Sequence, residues 1–487
     1  MESQLPVSAK SKPGESKLHH VQRLLDVLAQ DLVNQNLTTP QRIATLEQLK
    51  IYGRDPSGSD PIFTKEGMET LCSNGFNSVD TATSQEALRC LANALLLEQE
   101  TRQIFVDLGF AEKAADKLKS DSHDDEFLLA RILFLTTYST AIDLEKLLEE
   151  HNLGEWLNQA ISRHAKQYSR ITEDCPPSPM GEMALSETLK LIFNITHFVP
   201  SKSFHFSASI PNIFKILCRR QLPSPPLQAP VIYLINALLS LDIASCVGDI
   251  FPFRDSNLNV ARLIEILDLA TEVQEGKEEE FDDSGVPLLT LLRKMREAAP
   301  EHVREYMKRR LLPSEEERDK PLGKSTSLAS RLLNFTASAM APNTREHISS
   351  LLFELSDSSP EKYVHNVGYG FASGLLMTRG LQVSPSALAA SGTQKLVNPI
   401  TGQTLDSEEL VKDPLGDMTE EEKEREAEKL FVLFERHGPL SGSIRRLLRI
   451  VWTNARMRGY RLKKTGVVDI KNPVQQALEE GRFEDLD

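Results

Sequence analysis

The chain has 487 residues, and 56 Lys plus Arg against 70 Asp plus Glu leave a formal charge of −14. That length holds about three ordinary domains or one long repeat array, and 40% hydrophobic residues is the range of a globular protein. So acidic a surface excludes general binding to nucleic-acid phosphates and favours partners with basic faces.

Residues 1–17 are polar, lack the apolar run of a secretory signal, and read as a disordered tail. From Leu18 almost to Pro360, apolar residues recur at spacings of three and four, the pattern of successive helices, and strand-like alternation is nearly absent. Pro/Ser-rich or acidic interruptions at 172–181, 222–230 and 272–286 are expected to be surface loops. The longest apolar stretch, Val231 to Val247, is interrupted by Asn236 and Asp242 and falls short of a membrane span.

Two series repeat along this region. GMETLCSNGF, GFAEKAADKL and NLGEWLNQAI open at Gly67, Gly109 and Asn152, each expected to mark a turn before a new helix. EALRCLANAL (86–95), ETLKLIFNIT (187–196) and PVIYLINALL (230–239) place apolar residues five and two positions before an Asn. Those residues are Asn93, Asn194 and Asn236, and in LARILFLTTY (129–138) Thr136 takes the corresponding place. Spacings near 42 residues are those of armadillo or HEAT repeats, whose units stack because one alone cannot bury its apolar face. The expected fold is all-α: an armadillo/HEAT-type superhelix of about eight or nine repeats over 18–381, with a flexible C-terminal helical arm. An Asn within an apolar helix has two readings. It bonds the neighbouring repeat, or it faces the concave groove and bonds a bound peptide.

Several apparent motifs lack their chemistry. Gly323-Lys324-Ser325-Thr326 ends like a phosphate-binding loop, but Arg318 stands where the loop needs its first Gly, and no strand pattern precedes it. Gly368, Gly370 and Gly374 are spaced one residue too long for a dinucleotide fingerprint and read as a tight turn. The five cysteines form no CxxC pair and read as reduced thiols, and no Cys/His set has zinc spacing. No cofactor, metal or covalent catalysis is expected.

Beyond a linker at 382–418, the arm 419–487 begins with a helix at 419–436. Thr419 and Glu422 form a capping box there, and Leu430, Phe431 and Phe434 form an apolar stripe suited to docking or gripping a partner. The stretch 437–464 then turns basic.

RDPSGSDPIFTKEG (54–67), EALRCLANAL, LARILFLTTY, ETLKLIFNIT, VGYGFASGLLMTRGL (367–381), NPITGQT (398–404) and GDMTEEEKEREAEKL (416–430) occur here in this order. Together they resemble the synembryn (resistance to inhibitors of cholinesterase) family, and the ending resembles its fungal branch. The resemblance implies a non-receptor guanine nucleotide exchange factor and folding chaperone for heterotrimeric G protein α subunits. Such a protein takes the C-terminal helix of the α subunit in its groove and meets both the GDP-bound and nucleotide-free partner. It further implies Arg54 and Lys50 as groove cations for the tail of the α subunit, Asn93 as a groove asparagine, and Arg131 and Asn194 in matched helices. A cytoplasmic monomer that binds no nucleic acid is expected, with recruitment to the plasma membrane left open.

The sequence departs from the family in two places. The acidic Ser/Thr cluster of animal members is replaced by QVSPSALAASGTQKLV, and residues 437–460 interrupt the fungal pattern. This interruption reads either as a retained intron or as a basic helix for anionic membrane, and transcript sequencing across the junction separates the two.

Overall fold

The computed structural model describes residues 16–170, 177–273 and 278–382. In chain order the α-helices are α1 (Lys17–Asn34), α2 (Thr39–Tyr52), α3 (Asp60–Phe63), α4 (Lys65–Asn77), α5 (Thr81–Leu97), α6 (Glu100–Asp107), α7 (Phe110–Lys117) and α8 (His123–Thr136). Then follow α9 (Leu144–Glu149), α10 (Leu153–Tyr168), α11 (Pro179–Phe198), α12 (Ser209–Arg219), α13 (Val231–Ser240), α14 (Val247–Ile250), α15 (Leu258–Val273) and α16 (Glu278–Ser284). The series ends with α17 (Val286–Ala298), α18 (Glu301–Leu311), α19 (Leu328–Ala337), α20 (Pro342–Leu355), α21 (Pro360–Val367) and α22 (Tyr369–Thr378). No strand occurs among the described residues.

The helix starts follow local chemistry. Side chains of Ser16, Thr64, Asp80, Ser122, Asp143, Ser178, Ser327 and Ser359 each accept a backbone N–H of the helix they precede. Gly109 and Asn152 start α7 and α10 in the left-handed region, as the repeat pattern predicts. Gly67 does not: it lies inside α4, and its lack of a side chain serves a close approach. A Cβ there would stand 2.1 Å from the Pro61 carbonyl oxygen.

The helices pair as α1/α2, α4/α5, α7/α8, α10/α11, α12/α13, α15/α17 and α19/α20. The first members touch in succession, as do the second members, so two continuous rows share one core. This is an armadillo/HEAT-type superhelix. The second-row helices α2, α5 and α8 begin at Thr39, Thr81 and His123, 42 residues apart each time. The later second-row helices begin at Pro179, Val231, Val286 and Pro342, a longer period, with 3₁₀ turns and further short helices between units. After these seven pairs, α21 and α22 pack together and against α19 and α20 at the end of the array.

The core is built from the apolar sides of both rows. In α8, for instance, Leu128, Leu129, Ile132 and Leu133 are buried, each contributing at most about 1.5–3 kcal/mol by removal from water. The apolar run from Val231 follows the same rule, with Val231, Leu234, Ile235 and Leu238 buried in α13. No single helix among the described residues is long and apolar enough to cross a membrane. Val231–Ser240 and Ile243–Ile250 together reach that length but are bent by 94°.

The acidic segment at 272–286 departs from the solvated loop expected of it. Residues 278–284 form α16, Phe281 is fully buried, and Asp282 accepts the Thr344 N–H at 2.7 Å and the Asn343 amide at 3.0 Å. Its carboxylate caps α20 from a different unit, an arrangement that composition alone hides.

Candidate partner-binding face

The second-row helices expose a continuous face whose charges are laced from unit to unit. Lys50, in the last turn of α2, places Nζ 2.6 Å from Glu86 Oε2 on α5. Glu86 Oε1 accepts from Arg89 at 2.6 Å, and Arg89 reaches Asp124 on α8 at 2.8 Å. Further along, Arg131 of α8 pairs with Glu187 of α11 at 3.1 Å, and Glu187 also holds Lys190 at 2.6 Å. Arg293 of α17 pairs with Glu354 of α20. Glu187 is buried and needs its two cations to offset desolvation, whereas the pairs nearer the surface add little stability individually; as a network they fix where each cation points.

Arg54 stands apart. It follows α2 in an exposed bend, and its side chain makes no hydrogen bond or ion pair among the described residues. Of the cations named on this face, it alone has its charge uncommitted.

The middle of the face is aromatic. Lys190 Nζ lies 4.9 Å from the Phe134 ring centre and 5.6 Å from that of Tyr233, bridging α8 and α13. Phe134 packs edge-on to Tyr138 at 5.3 Å, Tyr138 approaches Phe198 at 6.4 Å, and Phe193 stacks on His197 at 6.2 Å. Tyr138, His197 and Phe198 are exposed, as are Leu96 and Leu97 at the end of α5. Lys190, Phe193 and His197 stand three and four residues apart, so one stripe of α11 presents them. Such a face can take an amphipathic helix: apolar side chains on the rings, a carboxylate at the Arg54 end.

The asparagine series divides. Asn194 is buried, donates to the Thr137 hydroxyl at 2.7 Å and faces the Tyr138 hydroxyl at 3.4 Å, tying α11 to the end of α8. Asn93 and Asn236 are half-exposed, and neither side chain has a partner among the described residues. Thr136 is buried and bonds the Leu133 carbonyl of its own turn. One sequence position thus serves stacking in one unit and stays open in two others.

Beneath the face, Glu126 of α8 is buried and accepts from His164 of α10 at 2.9 Å and Thr188 of α11 at 2.8 Å. Burial pushes its carboxyl pKa up, yet these hydrogen bonds, with Arg163 nearby, hold it on balance below the ordinary value. His123 packs edge-on against His164 at 5.3 Å, and burial followed by that neighbour lowers its pKa. This network joins three helices and faces no groove.

The remaining motifs have structural explanations. The loop at Gly323 follows α18 and a 3₁₀ turn, and the Ser325 hydroxyl donates to Glu317 at 2.8 Å. Gly368, at φ +78°, turns the chain from α21 into α22. Cys72, Cys90, Cys218 and Cys246 are free thiols, and burial pushes the Cys90 pKa up to about 12. No group of His, Cys, Asp or Glu among the described residues has the arrangement of a metal site. Leu430, Phe431 and Phe434, with the basic stretch 437–464, lie outside the described residues.

A family model described as guanine nucleotide exchange factor synembryn matches residues 45–482. The chain belongs to the Ric8, or synembryn, family. It is 25% identical over 461 residues to Chaperone Ric-8A of Pongo abelii, covering 85% of this chain and 84% of the relative. Chaperone Ric-8A of Gallus gallus is 24% identical over 447 residues, covering 81% of each chain. A synembryn-like chaperone of Schizosaccharomyces pombe is 23% identical over 430 residues, covering 82% of this chain and 76% of its own. The synembryn match spans every helix of the aromatic face, with Lys50, Arg54, Asn93, Arg131 and Asn194 inside it.

Proposed function

We propose that this protein binds the C-terminal helix of a heterotrimeric G protein α subunit along the second-row face. Through that grip it promotes nucleotide exchange and assists folding of the newly made subunit. The observation that carries the reading is Arg54: an exposed, uncommitted guanidinium at the end of a face whose other named cations are already paired. A guanidinium so placed suits the terminal carboxylate of the bound helix, while Phe134, Tyr138, Phe198 and Tyr233 suit its apolar side. Asn93 lies between these two regions with its amide open to the guest's backbone. Lys50 and Arg131 support the face through their partners Glu86 and Glu187, and Asn194 keeps α11 in register with α8.

Exchange on this scheme needs no nucleotide site in the factor. Binding the nucleotide-free α subunit more tightly than its GDP form lowers GDP affinity by the same ratio. Holding the C-terminal helix away from the rest of the α subunit supplies that preference, and the same hold on an incompletely packed α subunit assists folding. Both forms of the partner are bound, in the cytoplasm or at the membrane where the α subunit resides.

The test is uptake of a GTP analogue by a GDP-loaded fungal α subunit, with wild type and Arg54→Glu in parallel. Acceleration is expected with wild type, and the variant should bind roughly tenfold to a hundredfold more weakly. Stable binding without acceleration would leave a chaperone alone, the reading favoured by the relatives' names. Equal affinity of wild type for the tail of the α subunit and a scrambled peptide would leave a passive scaffold for another helix.

A further inference from the structure

The bend that carries Arg54 also carries a serine built for modification. Ser57 sits at the corner of a β-turn closed by the Ser59 N–H donating to the Pro56 carbonyl at 2.9 Å, with Gly58 at φ +70°. Ser57 is exposed, and its hydroxyl has no partner among the described residues. The neighbouring Ser59 differs in both respects: it is fully buried and donates to the carbonyls of Tyr52 and Asp55, each at 2.9 Å. Of the two hydroxyls in the turn, only that of Ser57 is offered to an enzyme.

The surroundings are cationic on two sides. Lys17 Nζ crosses from α1 to the carbonyls of Asp55 at 2.8 Å and Ser57 at 2.6 Å, and stands 3.6 Å from the Asp55 carboxylate. Arg54 lies three residues before Ser57, the spacing that arginine-directed kinases read. The opposing charge is Asp55, whose Oδ1 accepts the Ser57 N–H at 3.1 Å.

We infer that Ser57 is a phosphorylation site for an arginine-directed, ATP-dependent protein kinase, and that phosphoserine there occupies Arg54 and closes the partner-binding face. In the transfer, Ser57 Oγ bonds to the γ-phosphorus of ATP and the bond from that phosphorus to the β–γ bridging oxygen breaks. ADP leaves with the bond electrons, and the hydroxyl proton passes to the kinase's base. The product carries close to two negative charges beside Arg54 and Lys17. Lys17 already touches the Ser57 backbone, so exchanging Asp55 for phosphate needs only local movement, and Arg54 is drawn from the groove end into an intramolecular pair. The inference rests on the assignment of Arg54 to partner binding.

The experiment treats the full-length protein with ATP and a purified cyclic-AMP-dependent kinase in its active form, and locates phosphate by peptide mass spectrometry. It then measures binding of a labelled peptide with the sequence of the α-subunit tail. Wild type, Ser57→Ala and Arg54→Ala are compared, each before and after treatment. The expected result is phosphate on Ser57 and roughly tenfold weaker binding by wild type, the effect of losing one charge-assisted contact. Ser57→Ala should keep its affinity after treatment, and Arg54→Ala, which also removes the arginine the kinase reads, should take no phosphate on Ser57 and keep its already weakened affinity. A Ser57 left unmodified while other serines are taken, or a phosphorylated wild type that binds as before, overturns the inference. Failure of the untreated wild type to bind the peptide would overturn the groove assignment itself, and this inference with it.

Discussion

Asn93 and Asn194 occupy equivalent positions in two repeats, and the structure assigns them opposite consequences when truncated. Asn194→Ala removes a buried hydrogen bond to Thr137 at 2.7 Å. The Thr137 hydroxyl keeps its own donation to the Phe134 carbonyl at 2.7 Å, and the Tyr138 hydroxyl, which donates to Asn194 Oδ1 at 3.4 Å, is exposed and can turn to water. The loss is therefore that of one neutral buried hydrogen bond with a little packing, about 1–2 kcal/mol. Asn93→Ala breaks no bond within the described residues and puts a better helix former inside α5. Stability should hold or rise by up to about 0.5 kcal/mol. Urea denaturation followed by circular dichroism, compared by midpoints because a repeat array need not unfold in one step, measures both. The same two variants are then tested for binding of the tail peptide. Asn93→Ala should weaken binding at an unchanged midpoint, whereas Asn194→Ala should lower the midpoint. Equal destabilisation by the two variants, or an Asn194→Ala that loses affinity with its midpoint intact, would refute the division.

Gly67→Ala should be severely destabilising despite Ala's higher helix propensity, because the added Cβ meets the backbone oxygens of Pro61 at 2.1 Å and Ile62 at 2.9 Å. A soluble variant melting within a degree of wild type would contradict that packing. Acid should weaken the α8/α10/α11 junction in two stages. His123 has a folded pKa below its unfolded value of 6.5, so the stability tied to its neutral form starts to be lost as pH falls below that value. Glu126, whose folded pKa lies below 4.5, contributes stability present above that value and lost as pH falls through the folded pKa. Melting temperature against pH should therefore begin to fall near pH 6.5 in wild type and stay flatter down to about pH 5 in His123→Gln. Superimposable profiles would exclude His123 as the titrating group.

The repeat architecture was legible because it depends on spacing along the chain. Apolar residues three and four apart make helices, and a recurrence near 42 residues makes units that must stack. Gly109 and Asn152 were legible as turns for a related local reason, the left-handed backbone at each. Gly67 was misread because its requirement comes from a neighbouring helix. Asp282 was misread because an acidic run looks solvated until α20 presents an uncapped end to it. The aromatic face was hidden as well. α8 and α11 are apolar on nearly every side, so periodicity cannot separate Phe134 and Phe193 on the open stripe from the leucines behind them. The spacing of Lys190, Phe193 and His197 was the available clue.

By itself the sequence determined a helical repeat array, its acidic character and the recurring Asn position, since these follow from composition and local periodicity. The stacking decided which side chains remain free. Lys50 meets Glu86 across 36 residues, Arg131 meets Glu187 across 56 and Asn194 meets Thr137 across 57, while Arg54 meets no one among the described residues. Such pairings depend on the packing of one unit against the next. A residue type can mark a position as polar, but only the neighbouring helix settles whether that polarity is spent within the fold or left for a partner.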